Sequence, residues 1–294
     1  MTGLKQILND ASEVDILNAI QNLSVQISTT RKNMSLFEAI ILGLIQGLSE
    51  FLPVSSSGHL LVAHHVFGIT GEDNLTFIIV LNMGSLVPLL WVFRKDVWEL
   101  VQNPFQKMTA LLIIATLPLI IVTVLFLDYI EEMFHLVQFL PIGFIITGII
   151  LLLSDKFSKG ERTIRELKVI DAVLVGLAQA LAVFPGLTRS GSTITASLAR
   201  GLNRESAAKF SFLMSIPTAF GAIAMRAGHI VSGRILLDDL NFVNLGAGFI
   251  TAAVTGYFAI NIMLTIVKKA KLKYFALYYI FALVVFIVLF FDMR

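Results

Sequence analysis

The sequence predicts an all-α polytopic membrane protein, with six transmembrane helices plus two re-entrant helical hairpins in an inverted-topology repeat. Three observations carry that prediction. First, the 294 residues are 56% hydrophobic and only 14% charged, with a mean hydropathy of +0.85; soluble domains average about 25% charged residues. Second, apolar stretches long enough to span a bilayer as a helix, about 20 residues, recur along the chain. Third, a polar stretch set in these surroundings occurs twice. Gly43–His59 reads GLIQGLSEFLPVSSSGH and Gly176–Thr193 reads GLAQALAVFPGLTRSGST. Gly43 matches Gly176, Gln46 matches Gln179, Leu48 matches Leu181 and Phe51 matches Phe184, each 133 positions later. Pro53 and Pro185 match after a one-residue slip, and Ser57-Gly58 realigns with Ser190-Gly191.

Taken in order, residues 1–35 lack the apolar core of a signal peptide and carry Asp10, Glu13 and Asp15. Leu4, Ile7, Leu8, Ala11, Val14, Leu17 and Ile20 recur at helical spacing, which predicts an amphipathic extension lying on the membrane or against the bundle. Residues 36–50 and 57–68 are helical and apolar, but each is too short to cross. Pro53 and the serine run separate them. A pair of half-length helices with a polar break predicts a hairpin that enters and leaves on one side; one long kinked helix is the alternative. Non-helical backbone at membrane depth requires protein or a water-filled cavity around it. Three spans follow, at about 75–93, 108–127 and 137–153. A second short pair is expected at about 169–183 and 190–201, then spans at about 206–226, 243–266 and 274–291.

The layout is a hairpin plus three spans, twice, giving a first repeat over 36–168 and a second over 169–294. A hairpin returns to its own side while three crossings end on the other. The second repeat is therefore inverted and the hairpins meet near the midplane. Loops 94–107, 154–168, 200–209 and 268–273 then share one side and hold 15 of the 22 Lys and Arg residues. By the positive-inside rule that side is cytoplasmic, which puts both termini and the mouth of the first hairpin outside. The absence of cysteine excludes disulfides and thiolate metal sites, and a net charge of +2 gives no sign of nucleic-acid binding.

The chemistry lies in what the hairpins carry. An ionisable group at membrane depth is costly and marks function by default. Glu50 and Arg189 are the two charges deepest in the repeated stretches. A structural ion pair joining the hairpins would explain both charges, but not the hydroxyls beside them. Gln46 and Glu50, four apart, share a helix face. Ser55, Ser56 and Ser57 begin one half-helix; Thr188, Ser190, Ser192 and Thr193 begin the other. Any one of these hydroxyls reads as an ordinary N-cap. Two helix starts converging with an arginine make an anion site, because free N–H groups, the helix dipole and a guanidinium all favour phosphate oxygens. His59, three residues after Ser56, is a candidate acid–base group, although it could equally be a packed histidine like His64 or His65.

These motifs resemble those of the undecaprenyl-pyrophosphate phosphatase family, the bacitracin-resistance type. The resemblance covers about residues 36–291. It rests on an acid-or-Gln-x-x-x-Glu followed by P-V-S-S-x-G-H, here Gln46 to His59, and on P-G-x-S-R-S-x-x-T, here Pro185 to Thr193. It implies an enzyme of the bacterial cytoplasmic membrane that converts C55 isoprenyl pyrophosphate to the monophosphate carrier of cell-wall synthesis. It further implies a divalent cation, Mg²⁺ or Ca²⁺, and a site open to the periplasm. By position, Glu50 is the essential acid and a metal ligand, Ser56 the nucleophile, His59 the motif histidine and Arg189 the pyrophosphate-binding arginine. Two positions depart from the pattern: Gln46 stands at the first acid, and Thr188 replaces a serine. The partners implied are the lipid substrate and the surrounding membrane lipids, with a homodimer left open. Inverted repeats with broken helices also occur in secondary transporters, so a carrier of lipid phosphate or another anion is the reading from a different class.

Overall fold

The computed structural model describes residues 34–69, 73–135, 140–157, 159–231, 241–269 and 272–280. Within them the chain is helical, and its only bridge of β type is an isolated one between Arg162 and Leu202. Ten α-helices occur in order: α1 Leu36–Phe51, α2 Ser56–Phe67, α3 Asp73–Val92, α4 Arg94–Gln102, α5 Lys107–His135, α6 Leu140–Ser154, α7 Val169–Leu181, α8 Arg189–Ala199, α9 Arg204–Val231 and α10 Phe242–Lys269. A last helical segment covers 274–280. Among the described residues, four stretches are long and apolar enough to cross a membrane: Lys107–Leu127, Leu140–Phe157, Arg204–Met225 and Phe242–Lys268. A fifth arises if α3 and α4 count as one bent span. The extension expected over 1–35, apart from its last two residues, and most of the span expected over 274–291 lie outside the described residues.

Local sequence explains the two short pairs. Ser35 starts α1 with a capping box: its Oγ accepts from the Glu38 N–H at 3.2 Å, and Glu38 Oε2 accepts from the Ser35 N–H at 2.8 Å. The helix stops because Leu52 precedes Pro53, which disfavours helical backbone, and Leu52 is extended at φ −73°, ψ 147°. Ser55 then caps α2, accepting from Gly58 N–H at 3.3 Å. Gly68 closes α2 in the left-handed conformation that suits glycine, at φ 64°. At 16 and 12 residues the helices are about 24 and 18 Å long at 1.5 Å per residue, short of the roughly 30 Å hydrocarbon layer. α1 and α2 pack on each other across the Pro53 turn rather than continuing as a kinked helix. α7 and α8 do the same.

The ends of the second pair are fixed together. The Asp171 carboxylate, on the first turn of α7, has no solvent exposure and takes both Arg162 Nη2 at 2.6 Å and Arg200 Nε at 2.7 Å. Arg200 directly follows α8, so one carboxylate ties the entrance and exit of the pair. Arg162 adds bonds to the Arg200 and Glu166 carbonyls at 2.6 and 2.8 Å. The Glu166 carboxyl is held below its ordinary range, chiefly by the Thr163 N–H and then by the Thr163 hydroxyl.

One expectation needs correction. Residues 94–107 are not a plain loop, because α4 occupies Arg94–Gln102, bent by 84° from α3. Its Val97 and Leu100 pack on the core while Trp98 and Val101 face outward, 63% and 64% exposed. Counted by its charges the segment reads as a loop; its apolar spacing is that of a surface helix.

Each short pair packs chiefly into the opposite half of the chain: α1 lies against α10, and α7 against α5. Both contacts are backbone-close and depend on small residues, as in membrane helix packing generally. A Cβ on Gly43 would fall 2.5 Å from the Gly248 carbonyl oxygen, and one on Gly176 would fall 2.4 Å from the Ala115 oxygen. The tightest position is Gly47, where a Cβ would meet Thr255 Oγ1 at 2.0 Å and the Ala252 oxygen at 2.5 Å. Gly47→Ala is therefore expected to force α1 off α10 and to lower stability by about 1–3 kcal/mol, the usual range for overpacking. Gly221→Ala, where a Cβ meets nothing within 4 Å, should cost nothing. Thermal unfolding of both variants in detergent checks this.

Candidate active site

The two helix pairs meet at Glu50. It sits on the last turn of α1, and its side chain is 13% exposed. Its two oxygens are divided between the pairs. Oε1 accepts from Arg189 Nη2, an ion pair across 139 residues of sequence. Oε2 accepts from the Ser56 hydroxyl at 2.7 Å and from Gln46 Nε2 at 3.1 Å. Ser56 is the first residue of α2 and Arg189 the first of α8. Both second half-helices therefore start at this carboxylate. Their N-terminal N–H groups, which have no partner within their own helices, converge there.

Gln46 is held in one orientation by its neighbours. Asn82 Nδ2 donates to the Ile78 carbonyl at 2.9 Å, so Asn82 Oδ1 must face Gln46. Gln46 Nε2 donates to that oxygen at 3.0 Å, and more weakly to Ser85 Oγ at 3.4 Å. Its amide N–H is thereby turned towards Glu50. Gln46 thus supports the Glu50 carboxylate as a donor and takes no proton from it.

A small cavity of about 60 Å³ opens beside Glu50, lined by Ser49, Glu50, Ser55, Ser56, Ser57, Ala182, Leu187, Thr188 and Arg189. Of the residues expected from sequence, the fold gathers Glu50, Ser55, Ser56, Ser57, Thr188 and Arg189 on this cavity. Ser190 sits just behind it, its hydroxyl 3.1 Å from Thr188 Oγ1 and donating to the Leu52 carbonyl at 3.2 Å. Thr188 Oγ1 caps α8, accepting from Gly191 N–H at 3.3 Å. Thr193 points elsewhere: its hydroxyl is engaged by the Arg189 carbonyl at 2.8 Å and by Ser211 Oγ at 2.5 Å. Ser192 is buried on α8 and does not line the cavity.

His59 lies one turn into α2. Its Nδ1 is 2.7 Å from the Ser55 carbonyl, which can only accept, so Nδ1 carries the proton. Its Nε2 is then the acceptor for the Tyr278 hydroxyl. Both ring nitrogens are committed to these partners. The residues missed from sequence are Tyr278, Ser49, Asn82 and Ser85. Asn82 and Ser85, polar and one turn apart in an apolar span, carried a legible signal. Tyr278, one of five tyrosines in the chain, carried none.

Among the described residues no group of three or more His, Cys, Asp or Glu side chains is placed to hold a metal ion. The donor set on the cavity is a single carboxylate with hydroxyl oxygens. That set does not cage a cation by itself. It does fit a hard cation shared with phosphate oxygens, the usual arrangement for Mg²⁺, which binds through one or two carboxylates and substrate phosphates.

The family model described as Bacitracin resistance protein BacA matches residues 39–285. A protein of Carboxydothermus hydrogenoformans named undecaprenyl-diphosphatase is 42% identical over 245 residues, covering 83% of this chain and 94% of its own. One of the same name from Methanobrevibacter smithii is 38% identical over 266 residues, covering 83% and 94%. Undecaprenyl-diphosphatase 4 of Bacillus thuringiensis is 38% identical over 255 residues, covering 87% and 97%.

The convergence of two helix N-termini with Arg189 should bind a multivalent phosphate without any lipid attached. Inorganic pyrophosphate is expected to raise the unfolding temperature of the wild type; at one hundred times its dissociation constant the gain would be about 2.7 kcal/mol. Arg189→Ala should lose that shift, and thermal unfolding with and without pyrophosphate measures it.

Proposed function

The chain belongs to the bacitracin resistance protein BacA family, and from that footing we propose that it works as an undecaprenyl-diphosphatase through the Glu50, Ser56 and Arg189 cluster. It is a membrane hydrolase that converts undecaprenyl pyrophosphate to undecaprenyl phosphate and inorganic phosphate, recycling the lipid carrier for cell-wall synthesis and giving bacitracin resistance. The observation that carries the site assignment is the division of one carboxylate between a serine hydroxyl and an arginine, at the junction of two helix N-termini.

Arg189 and the N-termini of α2 and α8 receive the pyrophosphate. The guanidinium exchanges Glu50 for phosphate oxygens, which it can grip bidentately. Ser56 Oγ attacks the terminal phosphorus in line, and its proton passes to Glu50 Oε2, already at hydrogen-bond distance. The bridging P–O bond breaks and undecaprenyl phosphate leaves. Glu50 gives its proton up with the leaving phosphate and is a carboxylate again; it then takes a proton from a water that attacks the phosphoserine, and returns it to Ser56 Oγ as phosphate is released. Arg189 and the N–H groups of α2 and α8 stabilise charge developing on the equatorial oxygens. A divalent cation would be held by Glu50 together with neighbouring hydroxyl oxygens, and would supply neutralisation of the pyrophosphate charge.

In the membrane we place the two helix pairs as re-entrant hairpins among six crossings, inverted with respect to each other. What supports this is a set of contacts that recur 133 positions apart. Ser55 Oγ accepts from Gly58 N–H as Thr188 Oγ1 accepts from Gly191 N–H. Gln46 bonds Ser85 at 3.4 Å as Thr218 bonds Gln179 at 3.4 Å. Gly43 abuts Gly248 as Gly176 abuts Ala115. The distribution of Lys and Arg supports a placement with the mouth of the first hairpin and the termini on the outer side of the bacterial inner membrane, and Glu50 deeper, at the turn of that hairpin.

Phosphate release from an isoprenyl pyrophosphate by detergent-solubilised protein tests the assignment, since detergent abolishes transport. Release should need Mg²⁺ or Ca²⁺ and stop with chelator. Glu50→Gln and Ser56→Ala are expected to lose about 10²–10⁴-fold in kcat, the scale of a lost acid–base group or nucleophile. Near wild-type release by Ser56→Ala would eliminate the covalent step.

A further inference from the structure

Ser55 has φ +65°, the one positive φ at a non-glycine position among the described residues. The conformation is disfavoured for any residue with a Cβ, and where it persists the surroundings enforce it. Capping α2 does not require it. Thr188, the equivalent residue 133 positions later, caps α8 from an ordinary φ of −92°. The two caps differ in the residue one turn further along the helix. The Ser55 carbonyl accepts twice from His59, from its backbone N–H at 3.2 Å and from Nδ1–H at 2.7 Å. At the position equivalent to His59 the second copy has Ser192, which supplies only its backbone N–H to Thr188.

The imidazole proton must be on Nδ1 for this bond to exist. The Ser55 carbonyl, which can only accept, decides that, and the Tyr278 hydroxyl donates to the Nε2 left unprotonated, holding the ring from its far side. The two rings stack at 5.6 Å with an interplanar angle of 23°, and Phe144 flanks the imidazole at 6.0 Å. Ser56 directly succeeds Ser55. Its hydroxyl donates to Glu50 Oε2 at 2.7 Å.

We propose that Tyr278 and His59 form a positioning pair: the tyrosine hydroxyl, bonded to Nε2, holds the imidazole in place so that its Nδ1–H clamps the Ser55 carbonyl and so aims the Ser56 hydroxyl at Glu50. This rests on the assignment of Glu50 and Ser56 above. It gives His59 a task other than carrying a proton to or from substrate, and it recruits to the site a residue 219 positions away.

The test compares kcat and KM for phosphate release from an isoprenyl pyrophosphate. Tyr278→Phe keeps the stacked ring and removes only the hydroxyl. It should lower kcat about 10- to 100-fold, the cost of a modest misplacement of a reacting group, with KM and unfolding temperature unchanged. His59→Asn offers an amide N–H in the place of Nδ1–H and nothing in the place of Nε2, so it should keep kcat within about 10-fold of wild type. His59→Gln and His59→Ala should fall well below it. Adding Tyr278→Phe to His59→Asn should cost nothing more, since the hydroxyl no longer has a ring nitrogen to act on. Wild-type kcat in Tyr278→Phe, or His59→Asn as inactive as His59→Ala, would overturn the positioning role. Glu50→Gln run in parallel separates the two levels: if it stays active, the active-site assignment itself fails.

Discussion

The Glu50 carboxylate is the point at which the two halves of this chain are joined, and the site could not exist without its double engagement. A carboxylate at membrane depth is costly unless its charge is met. Here both oxygens are met, one by a cation from the second helix pair and one by donors from the first. Because Arg189 starts α8 and Ser56 starts α2, satisfying Glu50 also fixes where both half-helices begin. The electrostatic requirement of one residue thus sets the geometry of the anion site. The same requirement makes the resting pair exchangeable, since phosphate oxygens can replace Glu50 on the guanidinium.

The matching stretches share their frame and differ in their polar groups. The glycine contacts, the hydroxyl caps and the glutamines recur 133 positions apart. The charged groups and the histidine do not. Ser56 in the first copy stands where the second has Arg189, Glu50 where it has Val183, and His59 where it has Ser192. One pair therefore holds the carboxylate and the serine hydroxyl bonded to it, while the other holds the guanidinium. Each pair is anchored chiefly in the opposite half of the chain, through α10 and α5. The approach is close enough that single glycines decide it, and such packing keeps a polar junction ordered where no hydrophobic force presses helices together.

Much of this was legible in the sequence. The short helix pairs and their break at Pro53 and at Pro185 follow from patterning, and the cost of lone charges in lipid singled out Glu50 and Arg189; their direct ion pair is the alternative that the sequence weighed less. The α4 helix was not, because its charged residues mimic a loop and its apolar spacing is brief. The orientation of Thr193 away from the cavity was also hidden: a hydroxyl on the first turns of a helix reads the same whether it faces a ligand or Ser211. Tyr278 could not be found at all, because its role depends on a contact 219 residues distant and on a tautomer that only geometry assigns. The Gln46 amide is the reverse case. Its position was evident, but its role as donor to Glu50 became clear only from the Asn82 bond that orients it.

The stereochemical course at phosphorus tests the central claim most directly. An isoprenyl pyrophosphate with an isotopically chiral terminal thiophosphate would be hydrolysed and the configuration of the released thiophosphate determined. Attack by Ser56 and then by water amounts to two in-line displacements, which predict net retention. Net inversion would mean a single displacement by water, and would contradict Ser56 as the group that Glu50 activates.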